Sequence, residues 1–169
     1  RKLHHAYLGP GYRTDEIDRL LQATSLKYDD FRADDRQLLS AVARRLADGK
    51  VIGWSHGRME FGPRALGART ILADPRNAGM RDLINAMVKK REGFRPFAPA
   101  VLEDKAGEHF ALDVPSPFML ATCQVVSQLD LPAITHVDGS ARVQTVNSAT
   151  NPRFAALLSE FEHLTRCPI

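Results

Sequence analysis

Helical and strand-like patterns alternate along this chain, and this alternation restricts its fold more than any other feature. Asp34 and Gln37 form a capping pair at the start of a helix that Gly49 is placed to end. Residues 51–55 then form an apolar run of strand length. Because helices and strands are intermixed, the sequence predicts an α/β (or α+β) fold around one sheet in a single domain.

The same signals place the other elements. Thr14 is the predicted cap of a short first helix, and Asn77 and Asn151 are the predicted caps of two later ones, the last with Pro152 at its first position. Further strands are predicted at residues 70–73, 98–102, 118–127 and 142–146.

Apolar residues at helical spacing predict which faces are buried. The helix after Asn77 carries five such positions, so Leu83→Ala is expected to cost roughly 2–5 kcal/mol. The predicted inner faces are Ile17, Leu20 and Leu21 in the first helix, Met80, Leu83, Ile84, Met87 and Val88 after Asn77, and Phe154, Leu157, Leu158, Phe161 and Leu164 in the last.

The length of 169 residues suits one domain, and residues 1–33, with the turn at 9–11, are predicted to be a linker segment from a preceding domain. The chain opens on Arg1 without Met and stops at Ile169 as an apolar run begins, so we expect a piece of something longer. Two distant cysteines, no leader-like start and no spanning apolar run predict a cytoplasmic protein with no membrane segment.

Positive charge is concentrated in the middle of the chain. Residues 58–95 hold nine basic and four acidic side chains, a net charge of +5, whereas the rest of the chain sums to −2. Seven of the nine are arginines, whose planar fork suits phosphate or carboxylate. The pattern favours an anionic partner, although a solvated helical face would explain its C-terminal part equally well.

Residues 57–69 interleave glycines with Arg58, Arg64 and Arg69, without the pattern of a P-loop or a dinucleotide-binding loop. Backbone that can approach a ligand, beside several guanidinium groups, favours a small, multiply charged anion. The alternative is structural: Arg64 or Arg69 would pair with Glu60 or Asp74.

Signals for a nucleophile or a metal are weak. Ser55 and His56 are neighbours rather than a triad, and no spacing typical of metal ligands occurs. Magnesium is therefore expected only on a nucleotide's phosphates. His56 and His136 each precede a glycine turn at a predicted strand end, where α/β sites commonly form.

Five stretches together resemble the C-terminal region of the O-carbamoyltransferases, a family that includes nodulation and antibiotic carbamoyltransferases. They are 57–67 (GRMEFGPRALG), 71–76 (ILADPR), 94–99 (FRPFAP), 115–119 (PSPFM) and 136–146 (HVDGSARVQTV), and they follow the family's order.

The resemblance implies that residues 34–169 form a YrdC-like domain, truncated at its C-terminus, with a twisted mixed sheet flanked by helices. Such a domain would bind ATP and carbamoyl phosphate and form carbamoyl adenylate. Transfer to a substrate hydroxyl would need an N-terminal transferase domain, the only part expected to bind its own metal ion, so the isolated chain is expected to be incomplete.

The resemblance and the local charge together suggest roles for ten residues. Lys89-x-Arg91 is similar to the lysine–arginine pair of YrdC proteins, although either Lys89 or Lys90 could match. The expected catalytic residues are Arg64, Lys89 and Arg142, and the expected substrate- or nucleotide-binding residues are His56, Arg58, Arg69, Lys90, Arg91, His136 and Thr145.

Two alternatives remain open at this point. YrdC-like folds include RNA-binding proteins, and a charge of +5 over residues 58–95 would suit a phosphate backbone. RNA is the less favoured partner, because Phe61, Phe94 and Phe97 are as easily core residues as stacking platforms. The other alternative is an inert packing partner whose site only the missing domain completes.

Overall fold

The structure is a computed structural model that describes residues 3–169, and it confirms the α/β class and the single domain. The α-helices are α1 (Thr14–Gln22), α2 (Asp35–Ala47), α3 (Ala78–Ile84), α4 (Ala106–His109) and α5 (Pro152–Thr165). The strands are β1 (Ile52–Ser55), β2 (Arg69–Leu72), β3 (Ala100–Leu102), β4 (Thr122–Gln124), β5 (Ser140–Arg142) and β6 (Gln144–Val146). A π-helical segment, Asn85–Lys89, continues α3, and a 3-10 turn, Glu103–Lys105, precedes α4.

Across residues 3–169 the strands pair as three two-stranded sheets rather than as the one sheet expected. β1 and β2 are antiparallel, as are β4 and β5, whereas β3 and β6 are parallel. Each strand is only three or four residues long. The sheet structure is mixed, as the sequence predicts.

The main core lies between the helix pair α2 and α5 and the strands beside it. Ala43, Val101, Phe110, Val143 and Leu157 are almost fully buried there. Burying side chains of this size stabilises the fold by roughly 1.5–3 kcal/mol each. This core fixes the ends of β2, β3 and β5, where the candidate site lies.

The predicted helix caps are confirmed at three of four positions. The side chains of Asp34, Asn77 and Asn151 accept hydrogen bonds from the backbone N–H groups of Gln37, Gly79 and Phe154. The exception is α1, where Thr14 is already the first helical residue. There the Arg13 backbone N–H donates to the Glu16 carboxylate at 2.7 Å, and this hydrogen bond takes the place of a cap by the Thr14 side chain.

Of the five apolar residues predicted to be buried after Asn77, only two are buried. Met80 and Ile84 are buried, but Leu83, Met87 and Val88 are 40%, 69% and 47% exposed. The expected large cost of Leu83→Ala is therefore wrong. Within the wider π-helical turn at residues 85–89, Asn85 is buried in place of the predicted Met87 and Val88.

Other predicted inner positions and strands also need correction. Ile17, Leu20 and Leu164 are exposed, and α1 has no buried residue. The strand predicted at 118–127 shrinks to β4, because Met119 adopts a left-handed conformation (φ 56°) in a turn closed onto Ser116. The strand predicted at 142–146 divides at Val143 into β5 and β6, which pair with different partners.

The N-terminal segment lies against the domain rather than apart from it. The Gly9 N–H donates to the Met59 carbonyl, the Met59 N–H to the Pro10 carbonyl, and the Phe61 N–H to the Ala6 carbonyl. These bonds tie the segment to the start of the glycine–arginine loop. Within residues 3–169 no helix has the length and apolar character that crossing a membrane requires, and the cytoplasmic location stays a prediction.

Candidate functional site

A cavity of about 790 Å³ opens where β2, β3, β5 and the π-helical segment come together. Its lining includes five basic side chains from three separate stretches of sequence, which are Arg64, Arg69, Lys89, Arg91 and Arg142. The interior is apolar and is lined by core residues that include Leu46, Leu157, Phe161 and Ile169. Arg64 and Arg91 lie close enough to Arg142 to repel its charge. We call Arg64, Lys89, Arg91 and Arg142 the cationic wall, and we expect an anion to bind there.

Arg142 lies at the end of β5, half-buried within the cationic wall. Burial, and then repulsion by Arg64 and Arg91, lowers the pKa of its guanidinium. Arginine nevertheless stays protonated at neutral pH. Its Nε is buried and has no hydrogen-bond partner among the described residues. A buried charged donor without an acceptor is costly, and a bound anion would supply that acceptor.

The loop that carries Arg64 is held by a half-buried carboxylate. Oε1 of Glu60 accepts hydrogen bonds from the backbone N–H groups of Leu66 (2.6 Å), Ala68 (2.8 Å) and Arg69 (3.3 Å). Burial opposes ionisation of Glu60, but the N–H groups outweigh it, and the pKa of Glu60 falls below its usual value. Arg64 is exposed on the loop thus formed.

The end of the loop is fitted closely to α5. Gly67 has φ 94°, and a Cβ atom at this position would collide with the ring of Phe154. The Gln144 side chain donates to the Leu66 carbonyl at 2.9 Å, which joins the same end to β6. The loop is therefore anchored at several points, as a preorganised site requires.

Lys89 and Arg91 reach the cavity from the end of the π-helical segment. Lys90, between them, takes a left-handed conformation (φ 47°) and does not line the cavity. Lys89 is thus the lysine that shares the cationic wall with Arg91. The Arg91 guanidinium lies over the Phe97 ring, 4.9 Å from its centre, which holds it flat against the wall.

Arg58 and Arg69 make structural contacts. Arg58 donates to the carbonyls of Leu8 and Gly9, at 2.6 and 2.8 Å, and does not line the cavity. Arg69 does line it, but its guanidinium donates to the carbonyls of His56, Gly57 and Ala68. Both fix the loop, and their part in ligand binding stays a prediction.

His56, His136 and Thr145 lie outside the cavity lining. His56 Nδ1 is 3.3 Å from Arg153, and burial, followed by that charge, lowers the pKa of His56. Thr145 is buried, and its hydroxyl accepts the Ser116 N–H at 3.0 Å. His136 is half-buried in a turn that its own backbone closes with Ser140 and Gly139. Their predicted ligand contacts would need the ligand to extend beyond the cationic wall.

The predicted ion pairs of Arg64 or Arg69 with Glu60 or Asp74 are not formed, although Arg69 does make structural contacts with backbone carbonyls. Glu60 is occupied by backbone N–H groups, and Asp74 pairs with Arg76 at 2.6 Å. Arg64 makes no ion pair or side-chain hydrogen bond with any residue from 3 to 169. Its charge is therefore available to a ligand.

Three polar residues that shape the site were not predicted from the sequence: Glu60, Asn85 and Gln144. Asn85 has a visible signal, since it is a polar residue inside an otherwise apolar run. Glu60 and Gln144 give no such signal in the sequence. Each bonds to the backbone of Leu66, and the sequence does not show that these residues come together.

The described part of the chain offers no group of three His, Cys, Asp or Glu side chains able to hold a metal ion. What the site offers is positive charge, a buried guanidinium N–H and an adjoining apolar space. Such an arrangement suits a compact anion joined to a less polar group.

The fold and site define an α/β domain with a cationic wall built partly from a glycine–arginine loop. Residues 43–169 match the family described as "Carbamoyltransferase C-terminus", and the chain belongs to that family. It is 47% identical over 174 residues to nodulation protein NolO of Bradyrhizobium diazoefficiens, which covers 99% of this chain and 31% of that protein.

Two further relatives agree with this assignment. Nodulation protein U of Sinorhizobium fredii is 44% identical over 133 residues, 78% of this chain and 24% of its own length. The 3'-hydroxymethylcephem-O-carbamoyltransferase of Amycolatopsis lactamdurans is 47% identical over 116 residues, 69% of this chain and 22% of its own length. The chain thus spans less than a third of the length of each of these relatives, so each match covers only part of a longer relative.

Proposed function

We propose that this domain binds ATP and carbamoyl phosphate and forms carbamoyl adenylate for an O-carbamoyltransferase. The observation that carries the proposal is the cationic wall, and above all the buried Arg142 Nε, which has no acceptor among residues 3–169. The name of the cephem O-carbamoyltransferase gives the group transferred in one relative. Family membership supports the same chemistry in this chain.

The proposed reaction consumes ATP, carbamoyl phosphate and water and releases pyrophosphate and phosphate. Carbamate, formed when carbamoyl phosphate loses its phosphate, attacks the α-phosphorus of ATP through an oxygen. The bond from that phosphorus to the β-phosphate bridge breaks, and pyrophosphate leaves. Magnesium, where present, travels with the ATP phosphates.

In this reaction the residues of the cationic wall bind and orient anions. Negative charge grows on the phosphoryl oxygens as pyrophosphate leaves, and fixed cations stabilise it. Arg142 and Arg91 would contact oxygens from the inner side of the wall, and Arg64 and Lys89 from its exposed side. Each hydrogen bond to a charged group is worth roughly 1.5–3 kcal/mol, so three or four of them reach micromolar affinity.

Transfer of the carbamoyl group to a hydroxyl would take place in an N-terminal transferase domain of the same longer protein. The chain's share of less than a third of its relatives' length leaves room for such a domain. We do not assign an acceptor, because no residue of the wall indicates one.

The test is calorimetric titration of the 169-residue chain with MgATP and, separately, with carbamoyl phosphate. We expect saturable binding of each, with affinity lost in Arg142→Ala and kept in Arg36→Ala, a matched change at an exposed position of α2 outside the cavity. No binding of either ligand at millimolar concentration would contradict the proposal.

RNA binding is a second candidate, and one observation favours it. The sequence left open whether Phe61 and Phe94 are core residues or stacking platforms, and the structure shows them 76% and 74% exposed. Exposed rings can stack on bases. Titration with a single-stranded RNA separates the two candidates: RNA binding that falls steeply with salt and resists competition by ATP would favour this second function.

A further inference from the structure

Asn85 is a buried polar residue in an irregular part of the helix. It is 1% exposed, and it begins the π-helical segment that ends at Lys89. Single π-helical turns are rare and frequently mark functional sites. A buried amide in such a turn needs partners for all its polar atoms.

All of the hydrogen bonds that the Asn85 side chain makes go to residues 91–95. Its Oδ1 accepts from Arg91 Nε at 2.7 Å. Its Nδ2 donates to the Arg95 carbonyl at 2.9 Å and to the Gly93 carbonyl at 3.4 Å. The Asn85 main-chain carbonyl also accepts the Arg91 N–H, at 3.1 Å. Asn85 thus fixes both the backbone and the side chain of Arg91.

The orientation of Arg91 follows from these contacts. Asn85 holds one edge of the guanidinium, and the Phe97 ring covers one face. The terminal nitrogens of Arg91 have no hydrogen-bond partner among residues 3–169, and the side chain lines the cavity within electrostatic reach of Arg142. Arg91 therefore presents its two free NH2 groups without having to be ordered when a ligand arrives.

The neutrality of the amide matters as much as its position. An aspartate at residue 85 would form an ion pair with Arg91 and neutralise the charge that the cationic wall offers. An asparagine accepts the same hydrogen bond and leaves the full positive charge for a ligand. Burial of a neutral amide with satisfied partners also avoids the desolvation cost of a buried carboxylate.

We propose that Asn85 is a positioning residue that holds Arg91 ready to bind a phosphate group. The proposal rests on the function proposed above, since it assumes that the cationic wall binds an anion. It predicts that Asn85 affects binding only through Arg91.

A double-mutant cycle tests this dependence. The affinity of tripolyphosphate is measured by calorimetry for the unmodified chain, Asn85→Ala, Arg91→Ala and the double variant. We expect Asn85→Ala to weaken binding about 10-fold in the unmodified background, about 1.4 kcal/mol. We expect no further loss when it is added to Arg91→Ala. An equal loss in both backgrounds would overturn the proposal.

Asn85→Asp covers the case in which the alanine variant does not fold. The aspartate keeps the acceptor for Arg91 Nε but loses both donations to the Gly93 and Arg95 carbonyls, so we expect a less stable chain with weakened tripolyphosphate binding. Unchanged affinity in Asn85→Asp would contradict the proposal. As a control, Phe110→Leu changes a fully buried residue outside the cavity and should lower stability without changing affinity.

The outcomes separate this proposal from the proposed function. If the unmodified chain binds no tripolyphosphate, ATP or carbamoyl phosphate, both are overturned. If it binds them and Asn85→Ala and Asn85→Asp bind equally well, the site stands and the role of Asn85 is rejected.

Discussion

At the scale of single residues, the site depends on arginines that differ in what already holds them. Arg58 and Arg69 donate to backbone carbonyls, whereas Arg64 has no such contact with the described residues and Arg142 has a buried donor to spare. Sequence alone could indicate the basic segment but not this division. Any of these arginines could have paired with a distant carbonyl, and the sequence does not show where those carbonyls lie.

Removing Arg64 should reduce binding and leave folding unchanged. Since it makes no ion pair within residues 3–169, Arg64→Ala should shift the melting temperature by less than about 1 °C. Loss of one or two charged hydrogen bonds should weaken ATP binding by at least ~10-fold. Thermal unfolding and calorimetry measure the two effects. A large fall in melting temperature would mean that Arg64 has a structural role.

Removing Arg142 should improve folding while it damages binding. Arg142→Met relieves repulsion by Arg64 and Arg91 and removes the unpartnered Nε, while a flexible apolar chain can fill the space. We expect the ligand-free variant to unfold at the same or a higher urea concentration than the unmodified chain. Its affinity for ATP should fall at least ~10-fold. A clear loss of stability in urea would contradict this account of Arg142.

Glu60 should make the free energy of unfolding depend on pH. Its folded pKa lies below its unfolded value of about 4.3, so it stabilises the fold fully above that value. The contribution disappears as the pH falls through the folded pKa. Urea unfolding from about pH 6 to about pH 3 should therefore show Glu60→Gln less stable at pH 6, with the difference shrinking in acid. A difference that stays constant across this range would contradict the ionised state of Glu60.

At the scale of secondary-structure elements, local sequence signals predicted where helices begin better than they predicted how long elements are or which helix faces are buried. The caps Asp34, Asn77 and Asn151 act on N–H groups two or three residues away, which is why the sequence reveals them. The π-helical turn at 85–89 and the left-handed Met119 depend on tertiary contacts. Periodicity, which assumes a regular helix or strand, could not predict either.

The shifted face of α3 gives a direct comparison of two neighbouring apolar residues. Met80 is 2% exposed and Leu83 is 40% exposed. Met80→Ala should cost roughly 2–5 kcal/mol of unfolding free energy, and Leu83→Ala less than about 1 kcal/mol. Urea unfolding of the two variants measures the difference. Equal costs would mean that α3 does not have the orientation described here.

At the scale of the whole molecule, packing brings distant stretches of sequence to one cavity. Gln144 joins the loop around Arg64 to β6, and Asn85 ties the π-helical segment to residues 91–95. The sequence predicted that basic residues from all three stretches take part in the site. It could not predict the depth of the cavity or its apolar interior, because these follow from how α5 and the short sheets pack.

The N-terminal segment belongs to this scale as well. Residues 6–10 pair with residues 59–61, and the Tyr7 hydroxyl donates to the Leu66 carbonyl at 2.8 Å. The segment predicted as a linker therefore supports the loop that carries Arg64.

The most direct test of the central claim is a crystal structure of this chain with a non-hydrolysable ATP analogue. We predict that the triphosphate lies against the cationic wall, with at least one phosphate oxygen within hydrogen-bond distance of the Arg142 guanidinium and others near Arg64, Lys89 and Arg91. A triphosphate bound elsewhere, with these four side chains free of any anion, would contradict it.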